Sequence, residues 1–343
     1  MIGNPPYGAK LSNEDKQTFK KLFVTAKTIG SIQKGSLDTY TLFIEQSFNL
    51  LVRNGCLSMI VPISITSSDS LSGIHRLFLR NCEDIHISSY AVRPQPVFKN
   101  AVVNTSIISL RKTNQLCQHI YSTKMYRKGR NFNLQTLINN LQFAEVNEFL
   151  LFGRIPKISL EIERNILRKI FRYDKLETYV DSMGLPIFYR STGGRYFKIV
   201  TNYSTGSTKE KAICFKQDFA TAIGAILSSN LSFWFYQIYS NNLDWKSYEI
   251  EQFTSPTLNK ETVKELTSLY NEYLADVEKN ARTRHTSEES SYKMDSFKEY
   301  KIGKSKSIID KIDDLICPLY GLTQEETDFI KNYEIEFRLS DDE

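Results

Sequence analysis

The segment Asn4-Pro5-Pro6-Tyr7 has the residue types and spacing to act on an aromatic amine. An exocyclic amine on a base is a poor nucleophile because its lone pair is delocalised into the ring. Two acceptors around the amino hydrogens draw the nitrogen towards tetrahedral geometry and free that pair. The Asn4 side-chain oxygen is one such acceptor and the Pro5 main-chain carbonyl is a second. Pro5 and Pro6 fix φ and remove competing N–H donors, so the carbonyl direction is set in advance. Tyr7 offers a ring face for stacking the base, which offsets part of the cost of extruding it from a duplex. The same residues also suit a plain Pro-Pro turn with a tyrosine beside it.

Two further clusters have the composition of a nucleic-acid contact. Lys124, Arg127, Lys128 and Arg130 are interleaved with Tyr121, Tyr126 and Phe132, a pattern that tracks phosphates and stacks on bases, or simply forms a solvated loop. Arg190, Arg195 and Lys198 surround Gly193-Gly194 together with Tyr189, Tyr196 and Phe197. A glycine hairpin flanked by arginine can enter a DNA groove, where arginine pairs bidentately with guanine. Asn241, Asn242, Asp244 and Lys246 read as a helix-ending loop. Phe233, Trp234, Phe235, Tyr236 and Tyr239 are dense on one helix and read as core. His75, on an apolar helix with Leu71, Ile74 and Phe78, reads as structural. Five scattered cysteines with no CxxC pair, and four histidines with no HExxH, point to reduced cytosolic thiols and no metal site. Asp244-Trp245-Lys246 and Glu161-Ile162-Glu163 are only fragments of a nuclease pattern, and no cleavage is assigned.

The elements that must position these residues alternate. A polar helix is predicted over 13–28. Asp38 caps a second helix over 39–53, which ends at Asn54-Gly55. Cys56 to Val61 reads as a buried strand stopped by Pro62. A helix over 69–80 and strands over 85–92 and 103–110 follow, and the short link between these strands allows an antiparallel pair at one edge. Helices alternating with apolar strands indicate an α/β layer. Residues 113–256 mix polar loops, aromatics and short strands with helices over 158–172 and 218–239. The remainder is helical, over 259–280, 305–317 and 323–332, with a polar, mobile stretch at 282–296.

A length of 343 residues suits two or three domains, and 41% apolar with 24% charged residues is an ordinary globular mix. No apolar run approaches the ~20 residues of a bilayer crossing. The net charge of +5 hides a split. Residues 1–112 carry 13 basic and 7 acidic side chains, and 113–256 carry 18 and 12. Residues 257–343 carry 13 and 20. A basic body with an acidic tail points to a polyanionic partner for the body.

The segment Ile2 to Gly8 resembles the catalytic motif of N6-adenine DNA methyltransferases, as arranged in the type IIG (Eco57I-like) restriction–modification enzymes. Tyr40 to Ser47, Asn54 to Pro62 and Val97 to Ile107 resemble the helix, the glycine-led strand and the loop–strand element that follow it there. Ile223 to Trp234, the stretch through Glu251-Gln252-Phe253 and the end through Phe329 to Glu334 are similar to the family's recognition region and C-terminus.

The resemblance implies site-specific transfer of a methyl group from S-adenosylmethionine to a flipped adenine in double-stranded DNA, in a cytoplasmic protein. It implies that Phe98 is the second aromatic contact to the base, opposite Tyr7. It implies the second half of a Rossmann-like methyltransferase sheet over 1–112, an α+β target-recognition domain over 113–256 and a helical region over 257–343. The family carries its glycine-rich S-adenosylmethionine loop upstream of the motif, and here three residues precede Asn4. The cofactor site is therefore expected to be incomplete in this chain, the strand delivering the motif absent, and activity alone weak or nil; the chain is then a C-terminal piece of a longer protein, an internal start, or one half of a split enzyme with a separate N-terminal half as partner. The alternative is a non-catalytic DNA-binding specificity subunit.

Overall fold

A computed structural model describes residues 1–96, 103–129, 133–193, 197–285 and 296–339. The chain divides into two compact units, one of Met1–Arg164 with Ile238–Asn241, the other of Asn165–Gln237 with Asn242–Glu343.

The first unit is a mixed sheet with helices. Its elements in order are β1 (Ile2–Gly3), α1 (Asn13–Leu22), α2 (Thr39–Leu50), β2 (Cys56–Pro62), α3 (Ser72–Asn81), β3 (Cys82–Tyr90), β4 (Thr105–Lys112), β5 (His119–Tyr126), α4 (Leu134–Asn139), β6 (Ala144–Glu145) and the start of α5 (Glu161–Ile170). The sheet order is β1-β2-β4-β3-β5-β6. β1 is parallel to β2, and β3 to β5, while β4 lies antiparallel between β2 and β3. The carboxyl ends of β1, β2, β3 and β5 therefore all lie at one end of the sheet. The alternation of β2 buries Leu57, Met59 and Val61, and α2 covers the sheet with Tyr40, Ile44 and Phe48.

Four expectations change here. The strand that delivers the motif is present in its last residues, because Ile2 and Gly3 pair with Ser58 and Met59. The expected antiparallel pair forms, but β4 is an inner strand rather than an edge. Helix α1 stops at Leu22, since the Val24 and Thr25 amides donate to the buried Glu45 carboxylate, both at 2.8 Å, instead of continuing the helix. The sheet also runs past residue 112, through β5 and β6.

The second unit contains the rest of α5, then β7 (Val180–Arg190), β8 (Val200–Thr201), β9 (Glu210–Phe215), α6 (Ala220–Ser228), most of α7 (Asn230–Tyr239), α8 (Ser247–Glu251), α9 (Lys260–Lys279), β10 (Ala281–His285), β11 (Ser296–Tyr300), α10 (Lys306–Leu319), α11 (Gln324–Asn332) and α12 (Ile335–Arg338). Its three-stranded antiparallel sheet has the order β8-β7-β9. Helix α6 is buried almost all round, and Gly224 lets α9 approach it closely: a Cβ there would meet the Tyr270 ring at 2.5 Å. The stretch expected to be mobile at 282–296 is flanked by a strand pair, β10 with β11; residues 286–295 lie outside the described residues.

The single helix expected over 218–239 is two. Ser229 breaks it, and its Oγ accepts the Ser232 amide at 3.0 Å, as an N-cap does. The buried Asp313 carboxylate on α10 reinforces the break. It accepts Asn230 N at 2.9 Å, Asn230 Nδ2 at 2.7 Å and Leu231 N at 3.0 Å. Arg338 donates to Asn230 Oδ1 at 2.6 Å, its guanidinium 4.3 Å from the Phe197 ring and 4.6 Å from Phe233. Removing the carboxylate leaves buried donors with nothing to bind. Asp313→Ala is expected to lower unfolding stability by about 3–5 kcal/mol, the scale for stripping one partner from a buried charged network. An unfolding free energy within about 1 kcal/mol of wild type, from urea titration at equal m-value, would contradict this role.

Candidate functional site

Two consecutive prolines leave a loop with few hydrogen bonds of its own, so Asn4–Gly8 must be held from outside. Pro5 is buried, whereas Asn4, Pro6 and Tyr7 are exposed. The Pro6 carbonyl accepts Thr39 Oγ1 at 2.8 Å, and the Gly8 amide donates to Asp38 Oδ1 at 3.2 Å. Gly8 needs its φ of +63°, a left-handed turn that releases the chain from the motif. Asp38 sits at the N-cap position of α2 as expected, but its carboxylate serves this loop rather than the helix's own amides.

The Tyr7 hydroxyl lies 2.9 Å from Asn4 Oδ1 and 2.9 Å from the Ile60 carbonyl. A phenol has one proton, so these acceptors share it. Asn4 is thereby fixed with a lone pair to spare, and the loop is tied to the end of β2. The Tyr7 ring packs edge-on against the buried Tyr40 ring, with centroids 6.3 Å apart, and remains 37% exposed. Tyr40 is held in turn by Ser64 Oγ at 2.7 Å. Partial burial raises the Tyr7 phenol pKa, which keeps it a donor. Among the described residues the Pro5 carbonyl has no hydrogen-bond donor. The motif therefore carries two acceptors with capacity to spare, the Asn4 side-chain oxygen and the Pro5 carbonyl, next to the Tyr7 ring.

Phe98 lies outside the described residues, but the chain on both sides of it is fixed at this same end of the sheet. Thr105 pairs with Pro62 on β2 and with Tyr90 on β3. Asn104 is buried and closes the loop base: its Oδ1 accepts Val92 N at 2.8 Å and its Nδ2 donates to the Asn241 carbonyl at 2.9 Å. Its own carbonyl accepts Ile63 N at 2.9 Å.

Lys124, Arg127 and Lys128 occupy the carboxyl end of β5 and the residues after it. Lys124 is exposed, its ammonium 5.8 Å from the Tyr126 ring; Arg127 and Lys128 are half-buried. Gln95 bridges to Lys128, and the Ala91 amide donates to the Tyr126 carbonyl at 2.8 Å. These bonds lay the basic segment beside the chain leading to residue 97. Arg130, Phe132 and Arg195 lie outside the described residues.

The remaining expected contacts belong to the second unit. Arg190 is exposed and its Nε donates to the Thr192 carbonyl at 2.9 Å. Lys198 does not present its charge to solvent. It is buried, donates to the Gly193 carbonyl at 2.7 Å and lies 4.5 Å from the Tyr236 ring. Burial pulls its pKa down to about 7, with Arg190 adding to the shift and Glu249 opposing it. His75 is buried against the Ile65 carbonyl, and Phe233 to Tyr236 and Tyr239 are core, as read from the sequence.

Asp38, Thr39, Tyr40 and Asn104 hold the site and were not singled out for it. The signal for Asp38 was a helix cap, which names the position but not the hydrogen-bond partner. All five cysteines are free. Among the described residues no group of three His, Cys, Asp or Glu could hold a metal, and no helix is long and apolar enough to cross a membrane.

Comparison with known proteins finds similarity in the first part of the chain. The model of the Eco57I restriction-modification methylase family matches residues 1–98. The type II restriction enzyme and methyltransferase RM.Eco57I of Escherichia coli is 29% identical over 128 residues, 37% of this chain. RM.MjaORFECS2P of Methanocaldococcus jannaschii is 31% identical over 113 residues, 33% of this chain. The matched region spans 12% of the first relative's length and 8% of the second's. The solved structure of the type IIL restriction-modification enzyme MmeI in complex with DNA covers 98% of this chain and 56% of its own, with a TM-score of 0.51 and 11% identity, a likeness of fold alone. Over residues 1–98, the chain is similar to the Eco57I restriction-modification methylase family.

Proposed function

We propose that this chain binds the target base in a site-specific adenine-N6 DNA methyltransferase of a restriction–modification system. The observation that carries the reading is the exposed Asn4 oxygen held by the Tyr7 hydroxyl, beside an unoccupied Pro5 carbonyl, at the carboxyl end of the sheet. Open α/β sheets bind ligands at that end. In this reading the two acceptors take the hydrogens of the adenine amino group, and Tyr7 and Phe98 stack on its ring. The second half of a Rossmann-like methyltransferase sheet, expected over 1–112, continues through β6 to Glu145; the target-recognition domain is the part of 113–256 that follows it, and 257–343 is a helical region. Lys124, Arg127, Lys128 and Arg130 contact DNA phosphates, as do Arg190 and Arg195, while Lys198 positions the Gly193 turn.

S-adenosylmethionine supplies an electrophilic methyl group in such enzymes. The described residues do not form its pocket. They include no glycine-rich strand–helix turn, and Ile2 on the outer strand is 90% exposed. The chain supplies the acceptor side of the reaction, and a segment bearing the glycine-rich unit supplies the donor side.

Labelled methyl transfer to duplex DNA should be negligible for the chain alone and appear when a half bearing the glycine-rich unit is added. Methylation by the purified chain alone, or methyl groups found on cytosine, would refute the reading. In the reconstituted system, Asn4→Ala should lower kcat at least about 100-fold with little change in DNA affinity, the scale for losing one preorganised polar contact. Tyr7→Phe keeps the stacking ring and loses the tether to Asn4 and Ile60. A kcat decrease of up to about 10-fold is expected, the worth of one net hydrogen bond. Lys124→Ala should reduce the salt dependence of duplex binding by about 0.9 in log–log slope, uniformly across sequences.

A further inference from the structure

We infer that the groove between the β7–β8–β9 sheet and β11 in the second unit takes one unpaired nucleotide, with the base inside and the phosphate at the rim. This rests on the DNA-binding part of the reading above and adds a site to it. The groove has a volume of about 350 Å³, within the range of small-molecule pockets. Phe188, Ile199 and Tyr300 give it an apolar wall, and Arg190, Lys209 and Lys298 stand around it. An apolar floor beneath a cationic rim matches a flat base joined to a phosphate, and suits neither a lipid chain nor a cationic ligand.

Charge bookkeeping inside the groove sharpens the assignment. Glu210 and Glu299 also line it; Glu210 accepts Ser204 Oγ at 2.6 Å and Thr205 N at 2.8 Å, and Glu299 lies 3.9 Å from the Lys301 ammonium. Glu278 takes the Lys298 ammonium at 2.6 Å and the Tyr203 and Tyr300 hydroxyls, both at 2.7 Å. Burial works against this carboxylate, yet its three donors hold its pKa down to about 2. Lys298 is thus neutralised. Among the described residues Arg190 and Lys209 have no carboxylate partner. Arg190 spends only Nε on the Thr192 carbonyl, which leaves its terminal fork for a phosphate. Tyr300 is pinned through its hydroxyl, so its ring serves as a stacking platform with little further ordering on binding. A duplex has its bases paired and stacked, so the groove takes a base only from a single strand or an extruded position; a free mononucleotide offers the same chemistry.

The test is fluorescence anisotropy with the full chain, a labelled mixed-sequence single-stranded DNA, the matching duplex and free dAMP as competitor. Tyr300→Leu should weaken single-strand binding about 10-fold or more, the effect of losing one base stack, and duplex binding by less than about twofold. Tyr300→Phe keeps the ring and loses the pin, and should weaken single-strand binding clearly less than Tyr300→Leu. Lys209→Ala, at an exposed position with no folding role, should lower the single-strand salt slope by about 0.7. Displacement of the strand by dAMP, lost in Tyr300→Leu, would support the site and assign it to free nucleotide. Wild-type strand affinity in both Tyr300→Leu and Lys209→Ala would overturn the inference while leaving the methyltransferase reading intact. So would a wild-type chain that binds duplex but no single strand. A chain that binds neither DNA form nor dAMP at low salt would overturn both.

Discussion

The bond from the Tyr7 hydroxyl to Asn4 Oδ1 and the Ile60 carbonyl is the constraint on which the site depends. A Pro-Pro loop cannot knit itself, having lost two amide donors, and an exposed asparagine would otherwise sample several rotamers. One shared proton removes that freedom and ties a four-residue motif to the end of an inner-facing strand. The remaining tethers act on the exit side, where Thr39 holds the Pro6 carbonyl and Asp38 holds the Gly8 amide. Both tethers come from the first turn of one helix, so the packing of α2 on the sheet, through Tyr40, Ile44 and Phe48, sets the height of the motif above it.

The antiparallel placement of β4 has a consequence for function. Because β4 enters the sheet from the end where β1, β2, β3 and β5 leave it, the connection from β3 to β4 starts and finishes at that end. The family resemblance puts its second aromatic residue in this connection. Asn104 closes the connection at its base with both side-chain atoms, and Gln95 ties one limb of it to Lys128. The same topology that satisfies the backbone of an inner strand thus gathers the motif, the loop base and a basic segment at one edge.

Much of this was legible in the sequence. Period-two burial in Cys56–Pro62, the turn at Asn54-Gly55 and the crowded apolar face of α6 and α7 each depend on local patterning, which the chain displays openly. The chemistry of Asn4, Pro5 and Tyr7 was also visible, since it follows from residue type. What was not legible depended on distant partners. Helix α1 ends early because Glu45, twenty residues on, takes the amides of Val24 and Thr25. The break at Ser229 owes its strength to Asp313, and the role of Lys198 changes from surface charge to buried pin because Tyr236 and the Gly193 carbonyl close over it. No window of sequence contains both members of such a pair.

The acidic tail shows why net charge by segment is a poor guide to the field a ligand meets. Within the second unit many of its carboxylates are matched at close range. Glu272 meets Lys311 at 2.7 Å, Asp310 meets Lys306 at 2.6 Å, Asp314 meets Lys331 at 2.8 Å and Glu326 meets Lys169 at 2.6 Å. Asp313 is buried among amides. A matched pair looks like a dipole beyond a Debye length, roughly 8 Å at physiological salt, so these carboxylates contribute little repulsion to an approaching phosphate. Exposed cations with no such partner, Lys209 and Arg190 among them, act at full strength over the same distance. A chain with an excess of acid in its last quarter can therefore still present a local cationic rim elsewhere in the same unit, because the pairing of each charge, rather than the sum, decides what a polyanion feels.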